Sequence, residues 1–257
     1  MTYKCTKLVS HKTPEIDVDC AVILAGGLGT RLRTAVATVP KSMAPIDGRP
    51  FLEHQMDYWI TQGITRIILS VGYLHDAICD HFGDHYKTAS ICYSIEETPL
   101  GTGGGLLQAA RLTSGTGDIL VLNGDSLFEV KLSHLVQFHR DKGSEWTLAL
   151  FPSVLSPRHP GVTVNYDGRI IEMQVNSGPS NSLANGGAYI VRLELLANQA
   201  CVNREPASLE ADILPNLIAS RHRIFGIAFD AMFIDIGIPE DYLRADSMIR
   251  TRRQVSA

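Results

Sequence analysis

Apolar residues follow two alternating rhythms through the first half of the chain. Short runs rich in β-branched residues, "CAVILA", "RIILSVG", "SICYSIE" and "DILVLNGD", have the length and composition of buried strands. Between them lie segments with helical spacing, "PFLEHQMDYWITQG", "YLHDAICDHFG" and "GGLLQAARL". The first of these places Leu52, Met56, Trp59 and Ile60 on one face, with Pro50 suited to a first helical turn and Gly63 as a stop. Such alternation predicts a buried parallel sheet with helices on both sides.

After Gly143 the rhythm changes. Four strand-like pieces appear, "EWTLALF", "GVTVNY", "GRIIEMQV" and "GGAYIVRL", and Asp167-Gly168 between the second and third is a strong hairpin signal. The second half therefore adds antiparallel strands. A helix at about Leu209 to Ser220, strands "RIFGIAF" and "MFIDIG", and a closing helix from Pro239 complete the pattern. Residues 1–19 read as a polar extension and residues 20–257 as one domain, because no repeat, low-complexity tract or linker divides them.

Composition narrows the partners. A chain of 257 residues, 45% hydrophobic and 19% charged, is long enough for a full core. Its formal charge of −4 gives no field to attract nucleic acid or an anionic membrane, and Arg250, Arg252 and Arg253 form only a short basic cluster near one end. Five cysteines, odd in number and without a C-x-x-C pair, suggest neither a disulfide framework nor a zinc knuckle, and fit a reducing cytosol. No run approaches the roughly 18 apolar residues needed to span a bilayer. The N-terminus also lacks the apolar core of a signal peptide, so a cytoplasmic location is expected.

The chemistry begins where the first strand breaks into "AGGLGTR". Glycines at a strand's carboxyl end let the backbone approach a flat base or a phosphate, because no Cβ intervenes. A plain strand-to-helix turn has the same composition. A Walker loop requires Lys-Ser/Thr after its last glycine, but Thr30-Arg31 follows Gly29; a dinucleotide fingerprint requires a small residue where Leu32 stands. Ten residues on, Pro40 and Pro45 flank Lys41 in "VPKSMAPI". A forked guanidinium at Arg31 and a compact charge at Lys41 suit the neutralisation of a polyphosphate.

Two further strands end in carboxylates, "DILVLNGD" at Asp125 and "MFIDIG" at Asp235. Either alone fits a cap or turn. Together with a phosphate loop they suggest Mg²⁺, which takes one or two carboxylates and completes its shell with phosphate oxygens and water. Between a strand and a helix, "EETPLGTGGG" supplies a second glycine loop whose free N–H groups suit a base or a phosphate.

These pieces resemble the sugar-nucleotidyltransferase, or nucleoside-diphosphate-sugar pyrophosphorylase, family. The resemblance rests on "LAGGLGTRL", "PKSMAPIDGRPFLE", "EETPLGTGGG", "LNGDSLF", "NGGAYIV", "SLEADILP" and "FIDIGIPEDY", in family order over about residues 20 to 245. "PLGTGG" with "LNGDSLF" looks most like the branch that joins GMP from GTP to D-glycero-α-D-manno-heptose 1-phosphate for surface-polysaccharide precursors. The family implies a single Rossmann-like nucleotidyltransferase domain with a mixed, mainly parallel central sheet flanked by helices.

By the same resemblance, Leu24, Ala25, Gly26, Gly27, Gly29, Thr30, Arg31, Glu97, Gly101, Thr102, Asn123 and Gly124 would bind the nucleotide, with Glu97, Gly101 and Thr102 on the base. Arg31, Lys41 and Asp125 would be catalytic, Asp125 and Asp235 would hold Mg²⁺, and Gly161, Asn185 and Glu210 would meet the sugar phosphate. A homo-oligomer is an open partner. Relatives carry a Glu-Lys pair after the "GRII" strand whose lysine grips the sugar phosphate, where this chain has Val175-Asn176. Arg158, His159 and Arg169 are the substitutes at hand, and each also reads as an ordinary surface residue.

The implied reaction is in-line attack of a sugar 1-phosphate oxygen on the α-phosphorus, with pyrophosphate leaving. The nucleophile is already an anion, which explains the absence of a Ser-His-Asp signature. Competing readings remain: a uridylyl- or thymidylyltransferase acting on a hexose 1-phosphate, since base choice rests on loop shape; a catalytically silent regulator that binds a nucleotide sugar; and a D-x-D glycosyltransferase built on Asp17 and Asp19, which precede rather than follow a buried strand. His81 and His85 have helical i, i+4 spacing but lack a joining carboxylate, so solvated helix-end histidines are the better reading than a metal pair.

Overall fold

The computed structural model describes residues 18–29, 31–32, 36, 39–113, 117–155, 159–177, 183–199 and 206–255. The extension at 1–17 lies outside them. The order begins β1 (Cys20–Leu24), a 3₁₀ turn at Lys41–Met43, the short ribbon β2 (Pro45–Ile46) and β3 (Arg49–Pro50), and α1 (Phe51–Ile60). Next come β4 (Arg66–Val71), α2 (His75–Phe82), β5 (His85–Tyr86), β6 (Ala89–Ile95), α3 (Gly101–Ala110), β7 (Asp118–Asn123), β8 (Ser126–Phe128) and α4 (Leu132–Asp141). The second half contains β9 (Trp146–Pro152), β10 (Pro160–Val164), β11 (Ile170–Ser177), β12 (Leu183–Arg192) and α5 (Leu193–Gln199). A π turn at Leu209–Ile213, α6 (Leu214–Ala219), β13 (Ile224–Ala228), β14 (Phe233–Asp235) and α7 (Pro239–Val255) complete it.

A mixed ten-stranded sheet runs β11-β10-β12-β7-β1-β4-β6-β5, with β9 beside β12 and β13 beside β9. At its centre β6, β4, β1 and β7 are parallel, as the alternating pattern requires. The β10–β11 hairpin turns at Asp167-Gly168 and is antiparallel, as are the β12 pairings with β7, β9 and β10. Helices cover both faces. Leu52, Met56 and Trp59 of α1 join Ile78 of α2 and Leu135 of α4 against Ala21 and Ile23; Leu106 of α3, Leu195 of α5 and Leu217 of α6 pack on Val22 and Val121.

Several elements depart from the pattern reading. Pro50 caps α1 rather than opening its first turn, and Phe51 and Gln55 are buried where Ile60 is only partly so. α4 and α5 were not among the expected elements, although α4 buries Leu132, Leu135, Val136 and His139 at helical spacing. The expected helix at 209–220 is split: Pro215 has no N–H to continue the ladder, so a π turn precedes α6. β13 joins β9 in parallel, because it arrives after a helical crossover. Finally, α2 ends before Gly83, so His81 pairs with Glu53 and His85 sits on β5 beside Asp84, on no common helical face.

β14 leaves the main sheet altogether and pairs antiparallel with β8, setting Asp235 opposite Ser126. Phe128 of β8 secures this ribbon, with ring centroids 5.7 Å from Phe233, 5.9 Å from Phe151 and 6.2 Å from Phe229, all near edge-to-face. Truncating a buried phenylalanine of this kind costs about 3–5 kcal/mol through lost contacts and a cavity. Phe128→Ala is therefore expected to lose stability in that range by urea denaturation; a change below about 1 kcal/mol would show that the ribbon is held by something else.

Candidate active site

The parallel strands deliver their carboxyl ends to one rim. Leu24 lies opposite both Asn123 and Ser70, and Val71 lies opposite Ile95, so the segments leaving β1, β4, β6 and β7 meet there. Ala25 N donates to Ser70 O at 2.7 Å and Gly124 N to Leu24 O at 2.9 Å, so the glycine loop and the Asp125 turn start side by side. The β8–β14 ribbon adds Asp235, and Ile236 N donates to Asp125 O at 2.9 Å.

Charges at this rim are paired across long sequence distances. Lys41 Nζ, carried by the 3₁₀ turn after Pro40, is bonded to Asp125 Oδ2, and neither side chain is fully buried, at 13% and 38% exposed. His159 Nε2 lies 3.0 Å from Asp235 Oδ2, and the imidazole meets Phe151 and Phe233 edge-on. Asp235 Oδ1 accepts from Gly237 N.

Two cavities open on the rim. The larger, about 480 Å³, is lined by Asn123, Asp125, Asn185, Glu210, Asp235 and His159, among others. The smaller, about 380 Å³, is lined by Leu24, Gly26, Gly27, Gly29, Lys41, Glu96, Gly101 and Thr102, among others. Arg31 and Asp125 line both. Two chambers that meet at a guanidinium and a carboxylate suit two anionic ligands brought end to end.

The remaining sequence candidates fall elsewhere. Ala25, Gly124 and Gly161 are buried and line neither cavity, and Thr30 lies outside the described residues. Glu97 is exposed and away from the lining; the carboxylate in the smaller cavity belongs to Glu96, whose oxygens accept from Ser70 Oγ at 3.1 Å and Leu100 N at 3.0 Å. No alternation in the sequence marks it, since Glu96 lies one residue beyond β6, whose buried positions are Ala89, Ile91 and Ser94.

The second glycine loop also acquires a different explanation. An added Cβ at Gly101 would lie 2.5 Å from Ala207 O and one at Gly103 2.6 Å from Ile213 Cδ1, so these glycines admit the chain's own later segment. Gly103 N donates to Ala207 O and Ala207 N to Leu100 O, each at 2.8 Å.

Of the substitutes for the absent lysine, Arg158 and the side chains of Val175 and Asn176 lie outside the described residues. Arg169 donates to Arg221 O and His222 O, at 3.0 and 3.2 Å. His159 lines the larger cavity, and Met173 and Gln174 line it from β11. Asp19 pairs with Arg66 at 3.0 Å just before β1, at the opposite end of the sheet from the rim. Asp17 is not described. No cluster of three or more His, Cys, Asp or Glu arranged to hold a metal ion occurs among the described residues, and no described helix is long and apolar enough to cross a membrane.

Comparison with known proteins accords with this geometry. The nucleotidyl transferase family model matches residues 20–252. The chain is 40% identical over 230 residues to a D-glycero-α-D-manno-heptose 1-phosphate guanylyltransferase of Aneurinibacillus thermoaerophilus, covering 90% of this chain and 98% of that protein. A Campylobacter jejuni protein of the same name is 36% identical, with coverages of 86% and 96%. The crystal structure of HddC from Yersinia pseudotuberculosis complexed with GMP-PN superposes with a TM-score of 0.78 at 30% identity, over 90% of this chain and 100% of that one.

Gly26 provides a direct check on the smaller cavity. An added Cβ there would lie 2.4 Å from Glu96 Oε1, whose carboxylate is already tied down by Ser70 and Leu100. Gly26→Ala is expected to weaken nucleoside triphosphate binding at least about 10-fold by calorimetry, the effect of losing about 1.4 kcal/mol. Undiminished affinity would mean that Glu96 yields without consequence.

Proposed function

The chain belongs to the nucleotidyl transferase family, and on that premise we propose that it transfers GMP from GTP to D-glycero-α-D-manno-heptose 1-phosphate, releasing pyrophosphate. The observation that carries this reading is the pair of adjoining cavities whose linings share Arg31 and Asp125. The triphosphate would lie in the smaller, among the glycines and Lys41, and the sugar phosphate in the larger, beside Asn185 and Glu210. The names of the bacterial guanylyltransferases and the GMP-PN complex support the choice of base and sugar. A cytoplasmic setting belongs to the same reading.

Glu96 supports guanine on chemical grounds. Guanine presents adjacent N1–H and 2-amino donors, which a carboxylate accepts as a pair. Uracil and thymine offer a single ring N–H, and adenine's Watson–Crick edge presents a ring acceptor beside its amine.

In the proposed reaction an oxygen of the sugar phosphate forms a bond to the α-phosphorus, and the bridging bond to the β-phosphate breaks, with pyrophosphate taking the electron pair. No proton need be removed from the nucleophile. Alignment of two reactants can contribute about 7–11 kcal/mol. A general base contributes about 10²–10⁴-fold, or roughly 3–5 kcal/mol. Holding two anions in line therefore outweighs proton transfer here. Arg31 and Lys41 would neutralise the phosphates, and the side chains around Asn185 would exclude water from the sugar.

Asp125 and Asp235 are neighbours across the β8–β14 ribbon, and both face the larger cavity. A pair of hard carboxylate oxygens suits Mg²⁺ better than a thiolate-loving or imidazole-loving ion. When bound, the metal would supply charge neutralisation at the phosphates. Lys41, paired with Asp125, lines the smaller cavity and would also neutralise phosphate there.

Pyrophosphate release across the four nucleoside triphosphates and several sugar 1-phosphates, with Mg²⁺, tests the assignment. Asp125→Ala and Lys41→Ala are each expected to lower kcat by at least about 100-fold with the fold retained; near-normal rates in both would overturn it. Binding without turnover in the native chain would instead favour a silent regulator. Glu96→Gln, which replaces one acceptor oxygen by a donor, is expected to lower kcat/KM for GTP about 10–100-fold. An unchanged base preference would remove Glu96 from base selection.

A further inference from the structure

Three polar side chains on the wall of the larger cavity come from separate elements: Asn123 ends β7, Asn185 lies in β12 and Glu210 in the π turn. Tyr189 joins the last two while lining neither cavity itself. It is fully buried on β12, with its ring edge-on to Trp146 at 6.1 Å. Asn185 Nδ2 donates to the phenolic oxygen at 2.6 Å, and the phenol donates to Glu210 Oε1 at 3.3 Å.

Backbone amides fix the direction of every proton in this relay. Gly187 N donates to Asn185 Oδ1 at 3.1 Å, which turns the Asn185 NH₂ toward Tyr189. The phenolic oxygen must then accept from Asn185, and its own proton goes to Glu210, an acceptor when ionised. At the far end Leu209 N donates to Thr102 Oγ1 at 2.8 Å, so the threonine proton goes to Glu210 Oε2 at 3.3 Å. Burial first, and the Glu210 charge second, push the Tyr189 phenol well above its ordinary value, so it keeps its proton through the neutral range.

We propose that Tyr189 is a positioning residue for the sugar 1-phosphate: its hydroxyl holds Asn185 and Glu210 as one preset wall that recognises the hydroxyls of the sugar. The proposal rests on the assignment of the larger cavity to that substrate. Glu210, anchored at both oxygens, keeps its remaining lone pairs for hydroxyl donors, whereas the Asn185 amide offers its remaining N–H to an acceptor. A wall of fixed polarity distinguishes sugars by which hydroxyl can donate at which place. Its order is already present in the fold, so binding need not create it.

Tyr189→Phe removes the hydroxyl and retains the ring. The KM for the sugar 1-phosphate is expected to rise about 10–100-fold, the effect of losing a hydrogen bond to a charged group, while the KM for the nucleoside triphosphate stays within about twofold. Discrimination between heptose and epimeric hexose 1-phosphates should narrow. Because Tyr189 acts through Asn185 and Glu210, adding Tyr189→Phe to a variant carrying both Asn185→Ala and Glu210→Gln should cost little further. An unchanged sugar KM, an equal rise for both substrates, or additive losses would overturn the proposal.

If the phenylalanine variant does not fold, 3-fluorotyrosine at position 189 retains the hydroxyl and strengthens it as a donor; a sugar KM that does not move would overturn the proposal equally. Turnover by the native chain separates the two assignments. If a different sugar 1-phosphate is used, the substrate reading fails and the relay is measured on that sugar. If none is turned over, calorimetric binding of heptose 1-phosphate to the native and Tyr189→Phe proteins decides, with equal affinities overturning the relay.

Discussion

The rim depends on β1 and β7 stopping at the same level. Leu24 and Asn123 are register partners, and the bond from Gly124 N to Leu24 O carries that register one residue beyond the strands. A side chain at Gly124 would place its Cβ 2.6 Å from the same carbonyl oxygen, so only glycine lets the two strand ends close together. Beneath the turn, the buried amide of Gln55 donates to Asn123 O at 2.8 Å and Ser126 O at 2.5 Å. Asp125 lies between those two carbonyls, so α1 braces the turn that presents its carboxylate. A hydrogen-bonded turn held from the strand side and the helix side leaves little freedom for the charge at its tip.

The charged groups above this turn share an apolar base. Leu32, Ala44, Leu127, Ile234 and Ile236 belong to one small buried cluster, and each lies within three residues of Arg31, Lys41, Asp125 or Asp235. Ala245 and Ile249 of α7 close it from the far side. α7 also fastens the β2–β3 ribbon, through Asp246 Oδ1 on Asp47 N at 2.8 Å and the Tyr242 hydroxyl on Pro45 O at 2.6 Å. Stability in this region thus comes from burial of neighbours rather than from the rim charges. Partly exposed ion pairs contribute little on their own, so they can be placed for chemistry without carrying the fold.

Much of this was legible in the residues. Strand runs that end abruptly in glycine or aspartate located the β1 loop and Asp125, because a buried parallel strand must surface at its carboxyl end, and the same abrupt ending marked Asp235 on the antiparallel β8–β14 ribbon. Side-chain direction at a strand exit was harder. Glu96 and Glu97 are adjacent and chemically identical, and the bonds from Ser70 and Leu100 that hold Glu96 inward leave no pattern along the chain. The glycines of "PLGTGGG" illustrate a deeper limit: Gly101 and Gly103 answer to Ala207 and Ile213, more than one hundred residues away. Close backbone approach has the same signature whether the visitor is a ligand or the chain itself. Tyr189 gave no polar signal, since an aromatic residue in a hydrophobic strand reads as core, which it also is.

That same long-range closure joins the two cavities. The segment from Leu100 to Gly103 bonds to Ala207, and Thr102 reaches both Leu209 N and Glu210. A wall of the smaller cavity and a wall of the larger are therefore one hydrogen-bonded unit, seated on α3. Arg31 and Asp125 complete the junction between the chambers. For two ligands that repel one another, this arrangement matters more than the strength of any single contact. Each contact with a phosphate lowers that ligand's free energy, but only a junction whose sides keep a fixed spacing converts binding into approach. The glycines that admit Ala207 thus set the spacing of the two cavities, although their nearest partners belong to the protein.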